Sequence, residues 1–189
     1  MSLFKVYDVP VERLLNLEYC NSIIELGTDI EVRALPAIDL LTTSAYQYFN
    51  RYTLNKNLLV FYTKSKKTKN YIHVDRLTKG DIHIGKFHPY SLNCIIKGQG
   101  TMQWFAPKEP GILTHHDVGF QADVWPLSMS GQLIDTWNTG KISLVQTNVP
   151  HRAFNDDLED RVCVSIRWKN MLIPWEKLVS SLDTDLQLI

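Results

Sequence analysis

The chain has 189 residues, 44% of them apolar, and 20 basic side chains balance 20 acidic ones. That length fits one domain with a sizeable core and excludes disordered, collagen-like or disulfide-stapled chains. Neutral balance excludes a global field toward nucleic acid or anionic lipid. No apolar run approaches the ~18–20 residues that cross a bilayer, and the N-terminus carries no signal-peptide core. Cys20, Cys94 and Cys163 stand far apart without a CxxC, so free thiols in a cytoplasmic protein that meets no membrane are expected.

In chain order, the first fifty residues read as mostly helical. Asp8 is a candidate cap with Pro10 in the first turn, and Leu14, Leu15, Leu17, Ile23 and Ile24 supply an apolar stripe. Residues 29–35 read as a short edge strand, and Pro36 opens a second helix ending near Asn50. From residue 57 the pattern turns to strands. LLVFYT (58–63), YIHVDR (71–76), SLNCIIKGQG (91–100) and TMQWFAP (101–107) follow one another, the last two as a predicted hairpin. After a loop at 108–117 come four more strand-like stretches ending in RVCVSIRW (161–168), and the tail suggests a short helix. The expectation is a mainly β, cupin-like jelly roll, a double-stranded β-helix, with an N-terminal helical buttress. Within one domain, 1–56 would be the buttress, 57–168 the core and 169–189 the C-terminal tail.

The chemistry concentrates in two places. In His73-Val74-Asp75, residues i and i+2 of a strand project to one face, so an imidazole and a carboxylate point the same way. Such a pair suits a divalent metal, and equally a surface ion pair. A third histidine, His151, follows Pro150. Ten residues later begins a strand whose Arg161, Cys163, Ser165 and Arg167 share one face, with Val162, Val164, Ile166 and Trp168 on the other. A guanidinium facing inward is costly unless an anion pairs with it, and its fork matches a carboxylate. At a sheet edge the same arginine would instead reach solvent, the plainer reading of Arg167.

The ordered series of HxD, an "LN" strand, a Trp-bearing strand, PH-x-x-x-N and R-x-x-x-S-x-R-aromatic resembles the Fe(II)/2-oxoglutarate-dependent dioxygenases. The closest likeness is to short bacterial and phage-type members akin to aspartyl/asparaginyl β-hydroxylases. It rests on YIHVDR, SLNCIIKGQGTMQWF and TNVPHRAFNDDLEDRVCVSIRW, within residues 71–168. The resemblance implies His73, Asp75 and His151 as catalytic ligands of Fe(II), leaving coordination positions for the cosubstrate 2-oxoglutarate and for O2. It also implies Arg161 on the distal carboxylate, Ser165 as a second donor, Asn93 near the cosubstrate and Trp104 as a pocket wall. The implied reaction is hydroxylation with release of succinate and CO2.

Other readings stay open. A cupin-type protein that binds metal or ligand without turnover uses the same fold, and Arg161 is what distinguishes the two. A rival pair, His115-x-Asp117, lies in a Gly-flanked loop, and the long interval to His151 implies enlarged loops between 106 and 140 that could form a lid or substrate wall. His83 and His88 flank a turn. Lys64, Lys66, Lys67 and Lys69 form a solvated loop or a positive rim for an anionic substrate. A free amino acid, a peptide side chain and a nucleobase are all open as substrate, and so are monomer and homodimer.

Overall fold

A computed structural model describes residues 2–25, 32–65, 71–76, 89–115, 121–129, 131–138, 141–168 and 173–189. Its strands are β1 (Phe4–Tyr7), β2 (Val32–Pro36), β3 (Asn57–Thr63), β4 (Tyr71–Arg76), β5 (Tyr90–Lys97) and β6 (Thr101–Ala106), then β7 (Ile112–His115), β8 (Gln121–Pro126), β9 (Gln132–Asn138), β10 (Ile142–Gln146), β11 (His151–Phe154) and β12 (Arg161–Ile166). Helices are α1 (Leu17–Glu25), α2 (Ala37–Leu40), α3 (Thr43–Asn50) and α4 (Trp175–Asp185).

Two six-stranded antiparallel sheets form, in the orders β1-β10-β5-β12-β3-β2 and β7-β8-β4-β11-β6-β9. Eight of these strands make the jelly roll. The chain crosses between sheets at β3–β4, β4–β5 and β5–β6, and again at each step from β9 to β12. The mainly β double-sheet fold with a helical buttress is therefore the one expected.

Alternation sorts the side chains of the first sheet. Leu58 and Val60 on β3, Leu92 and Cys94 on β5, Ile142 and Leu144 on β10, and Val162, Val164 and Ile166 on β12 are all buried against the helices. Phe49 of α3 meets Trp168 edge to face, with ring centroids 5.9 Å apart. α4 adds Trp175, Leu178 and Leu182 to the same cluster. The opposite face of this sheet looks at the second sheet, and the space between them holds the polar residues of the next section.

Local expectations fail where a distant partner decides. Residues 4–7 are a strand, because they pair with Ile142–Val145 of β10. Pro10 leads into a single 3-10 turn at Val11–Arg13. Helix α1 starts only after Asn16, whose side-chain oxygen accepts from the Tyr19 amide at 3.3 Å. The second helix is broken in two at Leu41, and Thr42 caps α3 by accepting from the Ala45 amide at 3.2 Å. β2 is an edge strand as expected, and α4 is the expected closing helix.

The predicted hairpin of residues 91–107 does not form. β5 pairs with β10 and β12, and β6 with β9 and β11, so the connection passes from one sheet to the other. Gly98 makes that crossing with φ +66°, and a Cβ there would stand 2.5 Å from the Asp160 carbonyl oxygen. Within the stretch 108–117, read as a loop, β7 forms, whereas β8 and β9 fall on the strand-like stretches expected after it. β7 and β8 pair with each other and extend the second sheet beyond β4, while β9 forms its other edge.

Candidate metal centre

β4 and β11 bring the three predicted ligands together. His73 and Asp75 project from one face of β4, whose other face buries Ile72 and Val74 with Phe105 and Trp125. His151 opens β11 directly opposite His73 in the ladder. The two imidazole centroids are 4.5 Å apart, and one ligand atom from each of the three residues lies within 4.8 Å of the others. Asp75 and His151 are buried and His73 nearly so.

Hydrogen bonding prepares this set. His151 Nδ1 lies 2.9 Å from the Val149 carbonyl, an acceptor only, so Nδ1 carries the proton and Nε2 keeps its lone pair. Asp75 divides its oxygens. Oδ2 meets the Arg167 guanidinium at 2.6 Å, and Oδ1 faces His73 Nε2 at 3.6 Å. Two imidazoles and one carboxylate fit a divalent metal bound on one side, with open positions on the other.

The first sheet supplies the opposite wall. Asn93 from β5, Phe61 from β3, and Arg161, Cys163, Ser165 and Arg167 from β12 and its continuation line the same cavity as the triad. Arg161 is 4% exposed. Among the described residues no carboxylate stands within ion-pair reach of it, and its Nε has no hydrogen-bond partner. Its stem lies across Gly100, where a Cβ would stand 2.7 Å from Arg161 Cδ. The turn before it is tied by Asn155, which donates to the Glu159 carbonyl at 2.6 Å and the Thr63 carbonyl at 3.1 Å. Burial pushes the Cys163 thiol upward in pKa, although Arg161 and Arg167 pull the other way.

Arg167 is the residue that sequence reasoning undervalued. It is 6% exposed rather than solvated at an edge; it pairs with Asp75 and donates from Nε to the Ser165 hydroxyl at 3.1 Å. The alternation of β12 pointed to its face, but its partner sits on the other sheet. Ser165 and Asn93 line the cavity, where the Asn93 side-chain oxygen accepts from the Ser91 hydroxyl at 3.1 Å. Trp104 does not wall it. It pairs with His151 in the ladder, yet its indole packs with Met102 and Val145 and donates to the Gln146 carbonyl at 2.9 Å. Of the rival pair, His115 ends β7 while Asp117 lies outside the described residues, as do His83, His88, Lys66, Lys67 and Lys69.

No protein-family model and no curated protein matches this chain. Among solved structures it is similar to an oxalate decarboxylase described through an element that modulates proton-coupled electron transfer, at 12% identity over 80% of this chain and 32% of that one, with a TM-score of 0.34. It is also similar to Bacillus subtilis oxalate decarboxylase in a description of its Mn(II) centres, at 13% identity over 77% of this chain and 33% of that one, TM-score 0.32. The same enzyme at pH 4.6 matches at 13% identity over 77% of this chain and 32% of that one, TM-score 0.32. The chain thus spans about a third of the length of these proteins. Among the described residues, no helix is long and apolar enough to cross a membrane.

Proposed function

We propose that this protein is an Fe(II)- and 2-oxoglutarate-dependent oxygenase that hydroxylates its substrate and releases succinate and CO2. The observation that carries the reading is Arg161. A guanidinium taken out of water with no counterion costs several kcal/mol. A fold that bears this cost beside a two-histidine, one-carboxylate cluster is built for an anion that reaches both. A dicarboxylate with a 2-oxo group has that form, one end for the metal and the other for the guanidinium.

Bound ferrous iron with its cosubstrate would supply the oxidation of substrate by O2. The chain's own part is to bind and orient. His73, Asp75 and His151 would hold the metal, with His151 fixed in the ligating tautomer by the Val149 carbonyl. Arg167 would keep Asp75 ionised and turned, holding one oxygen while the other serves the metal. Arg161 would take the distal carboxylate, and the Ser165 hydroxyl, already accepting from Arg167, can donate its own proton beside it. Phe61 and Met102 line the cavity with apolar surface and reduce its water.

The test is anaerobic addition of Fe(II) and then 2-oxoglutarate, watching for the weak visible charge-transfer band of the chelate. Air should then yield succinate slowly from the protein alone, and faster with an extract that contains the substrate. A bound chelate that gives no succinate under air, with or without extract, would replace the oxygenase with a cupin-type binding protein.

A further inference from the structure

Between β10 and β11 the chain crosses from the first sheet to the second through residues 147–150. Two carbonyls of this crossing serve metal ligands. The Val149 carbonyl lies 2.9 Å from His151 Nδ1, and the Thr147 carbonyl accepts from the Asp75 amide at 3.3 Å. Two more carbonyls, at its ends, are held by β6. The Trp104 indole N–H donates to Gln146 at 2.9 Å, and the Phe105 amide donates to Pro150 at 2.8 Å. The amides of Gln146 and Thr147 donate in turn to the carbonyls of Leu3 and Pro89, at 2.9 and 3.0 Å.

Of the donors that reach these four carbonyls, the indole N–H is the one that a substitution removes without touching a ligand or the main chain. Trp104 stands opposite His151 in the ladder, so the two rings are neighbours on the inner face of the second sheet. It is fully buried. Phe4 of β1 stacks on it with centroids 5.8 Å apart and planes within 13°, and stacks on Trp137 at 5.1 Å. A close-packed indole has no freedom to turn toward another acceptor, and a buried N–H without one is costly. The position of the Trp104 ring therefore fixes the Gln146 carbonyl and the start of the crossing.

We infer that Trp104, braced by Phe4, is a positioning residue of the metal centre, acting on His151 through the crossing. While the Val149 carbonyl is in place, Nδ1 keeps the proton and the Nε2 lone pair faces the metal. A crossing released at Gln146 lets that carbonyl drift, and the imidazole loses its fixed tautomer and orientation. This role rests on the metal-centre part of the functional reading and is indifferent to the identity of the cosubstrate.

The test compares the parent chain with Trp104→Phe, which keeps a ring and removes the N–H, and with Trp137→Phe, which trims the same aromatic cluster away from the crossing. Two quantities are read: Mn(II) affinity by calorimetry, and the His151 tautomer in the metal-free protein by long-range 1H–15N correlation. The parent and Trp137→Phe should show the Nδ1–H form and equal affinity. Trp104→Phe should show a mixture of tautomers and bind Mn(II) roughly tenfold more weakly, the scale of losing a partner that orients a ligand. A folded Trp104→Phe with the parent tautomer and affinity refutes the proposal, whatever its stability, and so does an equal loss in Trp137→Phe. If Trp104→Phe does not fold, Phe4→Leu decides, because it loosens the stack from its half-buried side. A smaller loss with the same tautomer mixing is expected there, and parent behaviour overturns the role. A parent chain that binds no Mn(II) removes the metal-centre reading, and the tautomer comparison then decides by itself whether Trp104 sets His151.

Discussion

Replacing Arg161 by methionine should stabilise the ligand-free protein. The side chain is 4% exposed and has no carboxylate partner among the described residues, so the native state carries a desolvated charge with little to offset it. Methionine keeps most of the stem that lies over Gly100 and removes the charge. The relief is expected to be about 1–3 kcal/mol, less than the several kcal/mol charged for a buried ion because some packing is lost. Arg167→Met should act with the opposite sign. It leaves the Asp75 carboxylate, 2% exposed, without its guanidinium, and breaking such a pair costs about 3–5 kcal/mol. A divalent metal should restore much of that loss by taking over as countercharge. Urea unfolding of the metal-free variants is the assay, with the midpoint rising for Arg161→Met and falling for Arg167→Met at unchanged slope. If Arg161→Met loses more than about 1 kcal/mol, the guanidinium has a stabilising partner in the protein, and the argument for an anion site fails.

His73→Ala, Asp75→Ala and His151→Ala should each abolish binding of Fe(II) or Mn(II) in calorimetric titration while the fold persists; unchanged affinity in all three, with loss in His115→Ala, would move the centre. Arg161→Lys should recover only part of the 2-oxoglutarate affinity lost in Arg161→Ala, because an ammonium cannot reproduce the planar fork, and iron affinity should barely move in either variant. All three thiols are buried, and burial pushes Cys20 up to about 11 and raises Cys94 and Cys163, so iodoacetamide at pH 8 should label the native protein far more slowly than the urea-unfolded chain. Since the folded, buried Cys20 thiol holds its proton more tightly than an ordinary thiol at 9.0, its contribution to stability is complete below pH 9 and is lost as pH rises through about 11. Urea midpoints that stay flat over that interval in the parent protein would refute it.

Much of the site could be read without a structure, because its parts are short-range. His73 and Asp75 share a face by strand alternation, and so do Arg161, Cys163, Ser165 and Arg167, and both patterns hold. What sequence could not assign is who meets whom across the gap between sheets. Arg167 reads as an edge residue until β12 is laid opposite β4, and only then does Asp75 become its partner. Trp104 reads as a pocket wall until the Gln146 carbonyl claims its indole N–H.

The sequence by itself determined the strand-rich core, the alternation within each strand, the ligand types and the inward arginine, since all follow from periods of two residues and from the chemistry of single side chains. Tertiary structure alone decided that residues 4–7 are a strand, that β5 and β6 part into different sheets, and that Asp75 is clamped by Arg167. The physical reason is the same in each case. A local window favours a helix at the N-terminus and a hairpin at Gly98–Gly100, but the backbone hydrogen bonds and burial that override it come from β10 and β12, far along the chain. Such contacts form only when the whole sandwich closes, so no stretch of sequence carries them alone.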